Sequence, residues 1–218
     1  MSGWIQFQAE CGRERLFSER LLADPIGQFL LAHHPDKLEV EYKHPAFSSR
    51  SIDFAVLSSE DSNSPPSEVM ETKFVTPKRG FTQEICDDLM RLEAAVNHVP
   101  DCRGLFLVVG LGKHLKAQVV TEFNESENTP PLQKVLAGDQ KTYHEVEIEN
   151  SENGLRKNWE SSLSRISESI GPTQIGVSLA SQWPHEAVIQ DDAWTCIVWE
   201  IKCVANRQTW RVPDGSTQ

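Results

Sequence analysis

Ile52-Asp53-Phe54-Ala55-Val56-Leu57 is followed, after a polar turn over residues 58–67, by Glu68-Val69-Met70-Glu71-Thr72-Lys73-Phe74-Val75. Both runs are short and largely apolar. The first carries an acid at its head and the second a Glu-x-Lys. Side chains alternate between faces along a strand, so Glu71 and Lys73 point one way and Thr72 the other. If the two runs pair across the turn, Asp53 lies beside Glu71. Two carboxylates and one ammonium then share a patch, the chemistry of a divalent-cation site with a built-in cation. The same residues allow a plainer reading, in which Glu71 and Lys73 form a surface ion pair worth about 0–1 kcal/mol and Asp53 caps a strand end. Phe54, Val56, Val69 and Phe74 argue against full exposure, and burying two acids and a lysine without a partner is costly, which favours a site.

Upstream, Leu38, Val40 and Tyr42 alternate with Glu39, Glu41 and Lys43, which predicts a strand over 37–43. Before it, Leu16, Phe17, Leu21 and Leu22 predict a short amphipathic helix over 14–23. Asp24-Pro25 then reads as the N-cap and first-turn proline of a second short helix over 26–33. Downstream, residues 76–80 form a loop by proline and glycine punctuation. A helix follows over 82–97, with Ile85, Leu89, Leu92 and Val96 on one face, while Gln83, Glu84, Asp87, Asp88 and Arg91 fall off that stripe. Leu105 to Val109 is uniformly apolar, as in a strand buried on both faces. Strand, helix and buried strand in succession predict a parallel crossover.

The remainder predicts a helix opened by Gly110-Leu111-Gly112-Lys113 and running to about residue 121, a polar loop over 124–131, a strand over 143–149 and a helix over 154–170. Strands over 175–180 and 194–204 and a loose tail from Arg211 complete it. The expected class is α/β (α+β): a central mixed β-sheet flanked by helices. Residues 1–122 would form its core, and 123–218 a C-terminal β/α extension packing on the same sheet, possibly as one continuous domain.

With 218 residues, nine Phe and six Trp, the chain has material for a sizeable core. A net charge of −11 without a basic stripe argues against a general nucleic-acid coat and leaves room for a local groove. Five cysteines with no CxxC pair argue against a zinc ribbon and for a reducing, cytoplasmic setting. No basic-plus-apolar leader is visible at Met1, and no apolar run approaches the ~20 residues of a membrane span, so no membrane partner is expected.

The order helix–β–β–β–helix–β, with Asp53 on the second strand and Glu71-Thr72-Lys73 on the third, resembles the PD-(D/E)XK (restriction-endonuclease-like) nuclease superfamily. Ser51-Ile52 stands where the motif name has proline, and the resemblance covers roughly residues 14–110. It implies a metal-dependent nuclease acting on nucleic acid, DNA rather than RNA. Asp53, Glu71 and the Thr72 carbonyl would bind Mg²⁺, with Mn²⁺ the alternative, and Lys73 would orient or deprotonate the attacking water. The resemblance further implies an acid from the first helix, for which Glu19 is the candidate, and a polar residue from the next helix, Gln83 or Glu84. Lys78 and Arg79 would meet phosphate. A homodimer or a protein partner is compatible with it. The rival expectation is an inactive scaffold of this fold whose acidic surface faces a basic protein.

Several other motifs compete. Glu200-Ile201-Lys202, with Asp191 and Asp192 upstream, repeats the Glu-x-Lys, but no helix and buried strand follow it. Gly110-Leu111-Gly112-Lys113 suggests a phosphate loop yet lacks the spacing and the Ser/Thr after Lys. His33, His34 and His44 show no ligand spacing and are expected in turns or on the surface. Cys86 is expected to pack, as are Trp159, Trp183, Trp194, Trp199 and Trp210, with an exposed subset of the tryptophans open to a protein interface. No nucleophile elbow supports a serine hydrolase.

Overall fold

The computed structural model describes residues 2–12, 18–76, 81–117, 143–147, 161, 170–172, 174–183, 189–204 and 209–211. The alternating run over 37–43 forms β1 (Leu38–Lys43), and the two deciding runs form β2 (Ser51–Leu57) and β3 (Pro66–Val75), an antiparallel meander. Helix α3 (Phe81–His98) carries the chain back, so that β4 (Arg103–Leu111) lies parallel to β3. The C-terminal half adds β5 (Tyr143–Glu147), β7 (Gln174–Trp183) and β8 (Trp194–Lys202) to the same sheet, in the order β1-β2-β3-β4-β8-β7-β5. The chain is thus α+β, with a mixed sheet flanked by helices. A separate small ladder joins β6 (Ile170–Pro172) to β9 (Thr209–Arg211).

Register explains the two faces. Glu71 lies level with Phe106 and Phe106 with Trp199; Lys73 lies level with Val108 and Val108 with Ile197. Level residues on neighbouring strands share a face. Phe106, Val108, Ile197, Trp199 and Leu179 therefore form one apolar floor, covered by Ile85, Leu89 and Leu92 of α3. Each fully buried aliphatic or aromatic side chain there contributes about 1.5–3 kcal/mol. The opposite face presents Phe54, Phe74, Leu107 and Val109 to Ile5 of α1 (Ser2–Glu10) and to Leu22, Ile26 and Leu30 of α2 (Glu19–His33).

The helical boundaries differ from expectation in places. One helix, α2, runs through Pro25 where two were predicted. Leu22, Ile26 and Leu30 are spaced by four and buried as one unbroken stripe, so packing outweighs the backbone hydrogen bond that proline forfeits. Leu16 and Phe17 lie outside the described residues. Helix α1 was not predicted, because it buries little beyond Ile5 and Trp4 and has no strong period. The helix expected to open at Gly110 begins instead at Gly112, as α4 (Gly112–Leu115), because Gly110 and Leu111 still belong to the strand paired with its neighbours. Of the helix expected over 154–170, only the helical Ser161 and Ile170 are described, and Ile170 begins β6 instead. The loop expected over 124–131 falls outside the described residues.

Candidate active site

The ladder between β2 and β3 ends with Phe54 opposite Met70, whereas β3 stays paired with β4 as far as Val75. In the opening, the Thr72 N–H and the Thr72 hydroxyl both donate to Asp53 Oδ2, each at 2.8 Å. A side-chain carboxylate has taken the acceptor place of a strand carbonyl. On the other flank, β1 pairs Val40 with Phe54 and Tyr42 with Ile52, and between them Glu41 adopts φ +52°. A left-handed non-glycine residue inside a strand is uncommon and marks local strain. Asp53 thus sits where regular pairing fails on both sides.

Helix α3 completes the cluster. Glu84, Asp88 and Arg91 recur at i, i+4 and i+7, one helix face directed at the Glu71–Lys73 side of the sheet. Lys73 Nζ lies 3.2 Å from Asp88 Oδ2 and 3.5 Å from Glu84 Oε2. Arg91 Nε donates to Glu71 Oε1 at 2.8 Å, and its Nη2 donates to Asp88 Oδ1. Glu71 is 1% exposed, Asp88 3% and Lys73 8%, so this is a buried ionic network and not a surface pair. Burial pushes the Glu71 carboxyl well above its usual range; the Asp88 and Asp53 charges add to the rise and Arg91 opposes it. Burial likewise raises Asp88 to about 7, against the pull of Lys73 and Arg91. Desolvation works against the charge on Arg91, but Glu71 and Asp88 outweigh it and hold the guanidinium above its ordinary value.

His44 fastens this helix to the strands. Its Nδ1 accepts from the Ala46 and Phe47 N–H groups at 3.0 Å, which leaves Nε2 to donate to the Arg91 carbonyl at 2.9 Å. Burial lowers its pKa to about 4, only partly countered by the hydrogen bond to Arg91. His44 keeps the turn role expected of it, but it is buried, not on the surface.

Of the remaining candidates, Glu84 is paired with Lys73. Glu19 opens α2 and Gln83 lies in the first turn of α3, but their side chains fall outside the described residues, as do Lys78 and Arg79 entirely. Thr72 joins the site through its N–H and hydroxyl. Asp88 and Arg91 are not among the expected site residues: they fall off the apolar stripe of α3, yet both turn inward. The signal was their spacing from Glu84 on the flank of that stripe.

The rival motifs are accounted for by other bonds. Glu200 is taken by Arg103 at 3.2 Å and Lys202 at 3.4 Å, and Asp191 by Lys116 at 2.7 Å. The Gly112 and Lys113 N–H groups are spent on the Ala193 and Asp191 carbonyls, both at 2.9 Å, so no phosphate cradle remains there. Cys86 and Trp199 are in the core, as expected, and Trp194 is half-buried, but Trp183 is exposed; Trp159 and the Trp210 side chain lie outside the described residues.

Among the described residues, no three His, Cys, Asp or Glu side chains converge as a ready-made metal cluster. The donor chemistry nevertheless fits Mg²⁺ or Mn²⁺. Asp53, Glu71 and Asp88 are hard oxygen donors that outnumber Lys73 and Arg91. Asp88 Oδ2 is buried, with Lys73 Nζ 3.2 Å away. Comparison of the chain with family models, curated proteins and solved structures yields no match.

Proposed function

We propose that this protein is a metal-dependent nuclease of the PD-(D/E)XK, restriction-endonuclease-like kind, hydrolysing phosphodiester bonds in nucleic acid, DNA in preference to RNA. The observation that carries the reading is the opening between β2 and β3. There Asp53 reaches across to Thr72, and Glu71 and Lys73 flank that threonine on the sheet face covered by α3. The order α2–β1–β2–β3–α3–β4, with β3 and β4 parallel, supports it.

On this reading Asp53 and Glu71, joined by Asp88, would hold Mg²⁺ or Mn²⁺, which when bound would supply an activated water and neutralise charge on the reacting phosphate. Lys73, kept in place by Asp88 and Glu84, orients the nucleophile. Asp53 is itself oriented by Thr72. Five free thiols suit a reducing cytoplasmic setting.

The test is nicking of supercoiled plasmid, with single-stranded DNA and RNA alongside, in millimolar Mg²⁺ or Mn²⁺. Wild type should cut and chelation should stop it; Lys73→Ala, which also strips Asp88 of a buried counter-ion and should melt lower, should slow cleavage about 10²-fold or more at temperatures where circular dichroism shows it folded. A folded wild type that cuts none of these substrates defeats the proposal.

The double ion pair of Arg91 favours a second reading, a non-catalytic scaffold in which the guanidinium permanently neutralises Glu71 and Asp88. Its acidic surface would then meet a basic protein partner.

A further inference from the structure

Arg91 stands where a cation would compete for oxygen. Its guanidinium spans Glu71 Oε1 and Asp88 Oδ1, two carboxylates from different elements, and occupies one oxygen of each. Its backbone is held as well, because the Arg91 carbonyl accepts from His44 Nε2 and His44 is fixed by two loop N–H groups. A planar fork gripping two buried carboxylates is the strongest counter-ion a side chain can offer. We propose that Arg91 is a built-in competitor for the divalent cation, filling the Glu71–Asp88 pair in the resting protein so that metal enters only as the guanidinium yields. The inference rests on the metal-site reading above and concerns how tightly that site is held closed.

Competition between two cations for one carboxylate pair is a coupling free energy and must act in both directions. Removing the guanidinium has two consequences. It strips the buried acids of a counter-ion, which destabilises the metal-free protein. It also vacates oxygens for Mn²⁺. Arg91→Met keeps much of the side-chain length without the charge. Arg91→Lys keeps the charge but cannot fork to both carboxylates.

The experiment measures Mn²⁺ binding to the full chain by titration calorimetry, alongside melting curves with and without Mn²⁺. Wild type, Arg91→Met and Arg91→Lys are compared, each with and without Asp53→Asn. Arg91→Met should bind Mn²⁺ about 5- to 150-fold more tightly than wild type, the usual range for such coupling. It should melt lower than wild type without metal and recover more on adding it, with Arg91→Lys between the two. Asp53→Asn should weaken binding in every background.

If wild type and both Arg91 variants bind Mn²⁺ equally, and all lose it on Asp53→Asn, the metal site stands and the competitor role falls. If no folded variant binds Mn²⁺, the metal reading falls and takes this inference with it. Should Arg91→Met stay unfolded at saturating Mn²⁺, Arg91→Lys decides: affinity no greater than wild type overturns the proposal.

Discussion

Asp53 performs with its side chain what a strand residue ordinarily performs with its carbonyl, and two donors from one threonine converge on a single oxygen. Hydrogen bonds to an ionised acceptor are worth more than neutral ones. Thr72→Val removes the hydroxyl donor while preserving shape, and should cost about 1–2 kcal/mol in urea unfolding, with Thr72→Ser close to wild type. A Thr72→Val protein as stable as wild type would show that the hydroxyl contributes nothing to holding Asp53. His44 makes a second prediction, and its sign follows from its depressed pKa. The folded protein favours neutral imidazole to about pH 4, whereas the unfolded chain protonates near 6.5. The contribution of His44 is therefore complete above about pH 6.5 and lost as pH falls towards 4. Asp88 and Glu71, whose folded pKa values are raised, act oppositely, since their protonation on acidification favours the folded state. The useful quantity is thus the stability difference between wild type and His44→Asn. It should shrink by on the order of 2 kcal/mol between pH 7.5 and 4.5, after allowance for partial screening. A difference that stays constant across that range would remove the neutral histidine from this role.

Elements divide into those whose packing agrees with local pattern and those where packing overrules it. β1 to β4 and α3 were legible because period-two alternation, a four-residue stripe and a uniformly apolar run each report burial directly. Glu71 and Lys73 were legible as a same-face pair for the same reason: the period of a strand assigns faces. Asp88 and Arg91 were not, because a charged helical residue beside an apolar stripe faces solvent unless another element supplies a counter-charge. Here that charge comes from β3, twenty residues away in the case of Arg91 and Glu71. Pro25 misled in the other direction, since a first-turn proline and a mid-helix proline look alike without knowledge of what lies beneath. If the stripe of Leu22, Ile26 and Leu30 holds α2 together across Pro25, restoring the missing N–H should help. Pro25→Ala is expected to raise stability by about 1–3 kcal/mol in a denaturant titration, and a loss would mean that Pro25 sets a bend the packing requires. The opposite sign is expected at Gly112. A Cβ there would lie 1.8 Å from the Gln190 carbonyl oxygen, a backbone atom that cannot swing aside. Gly112→Ala should therefore cost about 3 kcal/mol, well beyond Gly104→Ala, whose nearest obstacle is a Val96 methyl at 2.9 Å.

For the whole molecule, the decisive fact is the place of β8. It lies between β4 and β7, so a strand from the C-terminal half seals the sheet that carries the candidate site. Phe106 stacks on Trp199 with ring centres 5.9 Å apart, and Val108 lies level with Ile197. Without β8, the β4 edge would expose its backbone polar groups together with one flank of the apolar floor beneath α3. Arg103 adds a link by bridging Glu68 on β3 and Glu200 on β8, although so exposed a pair contributes little. A boundary near residue 122, natural from the order of motifs, is therefore a poor boundary for folding. The fragment 1–122 is expected to lack a cooperative thermal transition and to bind a hydrophobic dye, because Phe106, Val108 and Leu89 have lost the Trp199 and Ile197 wall. In the full chain, near-ultraviolet and far-ultraviolet circular dichroism should lose signal together, since one sheet and one apolar floor span both halves. A fragment 1–122 that melts cooperatively and retains Mn²⁺-dependent stabilisation would show instead that the site is self-sufficient, and that β5, β7 and β8 were added to a core already closed.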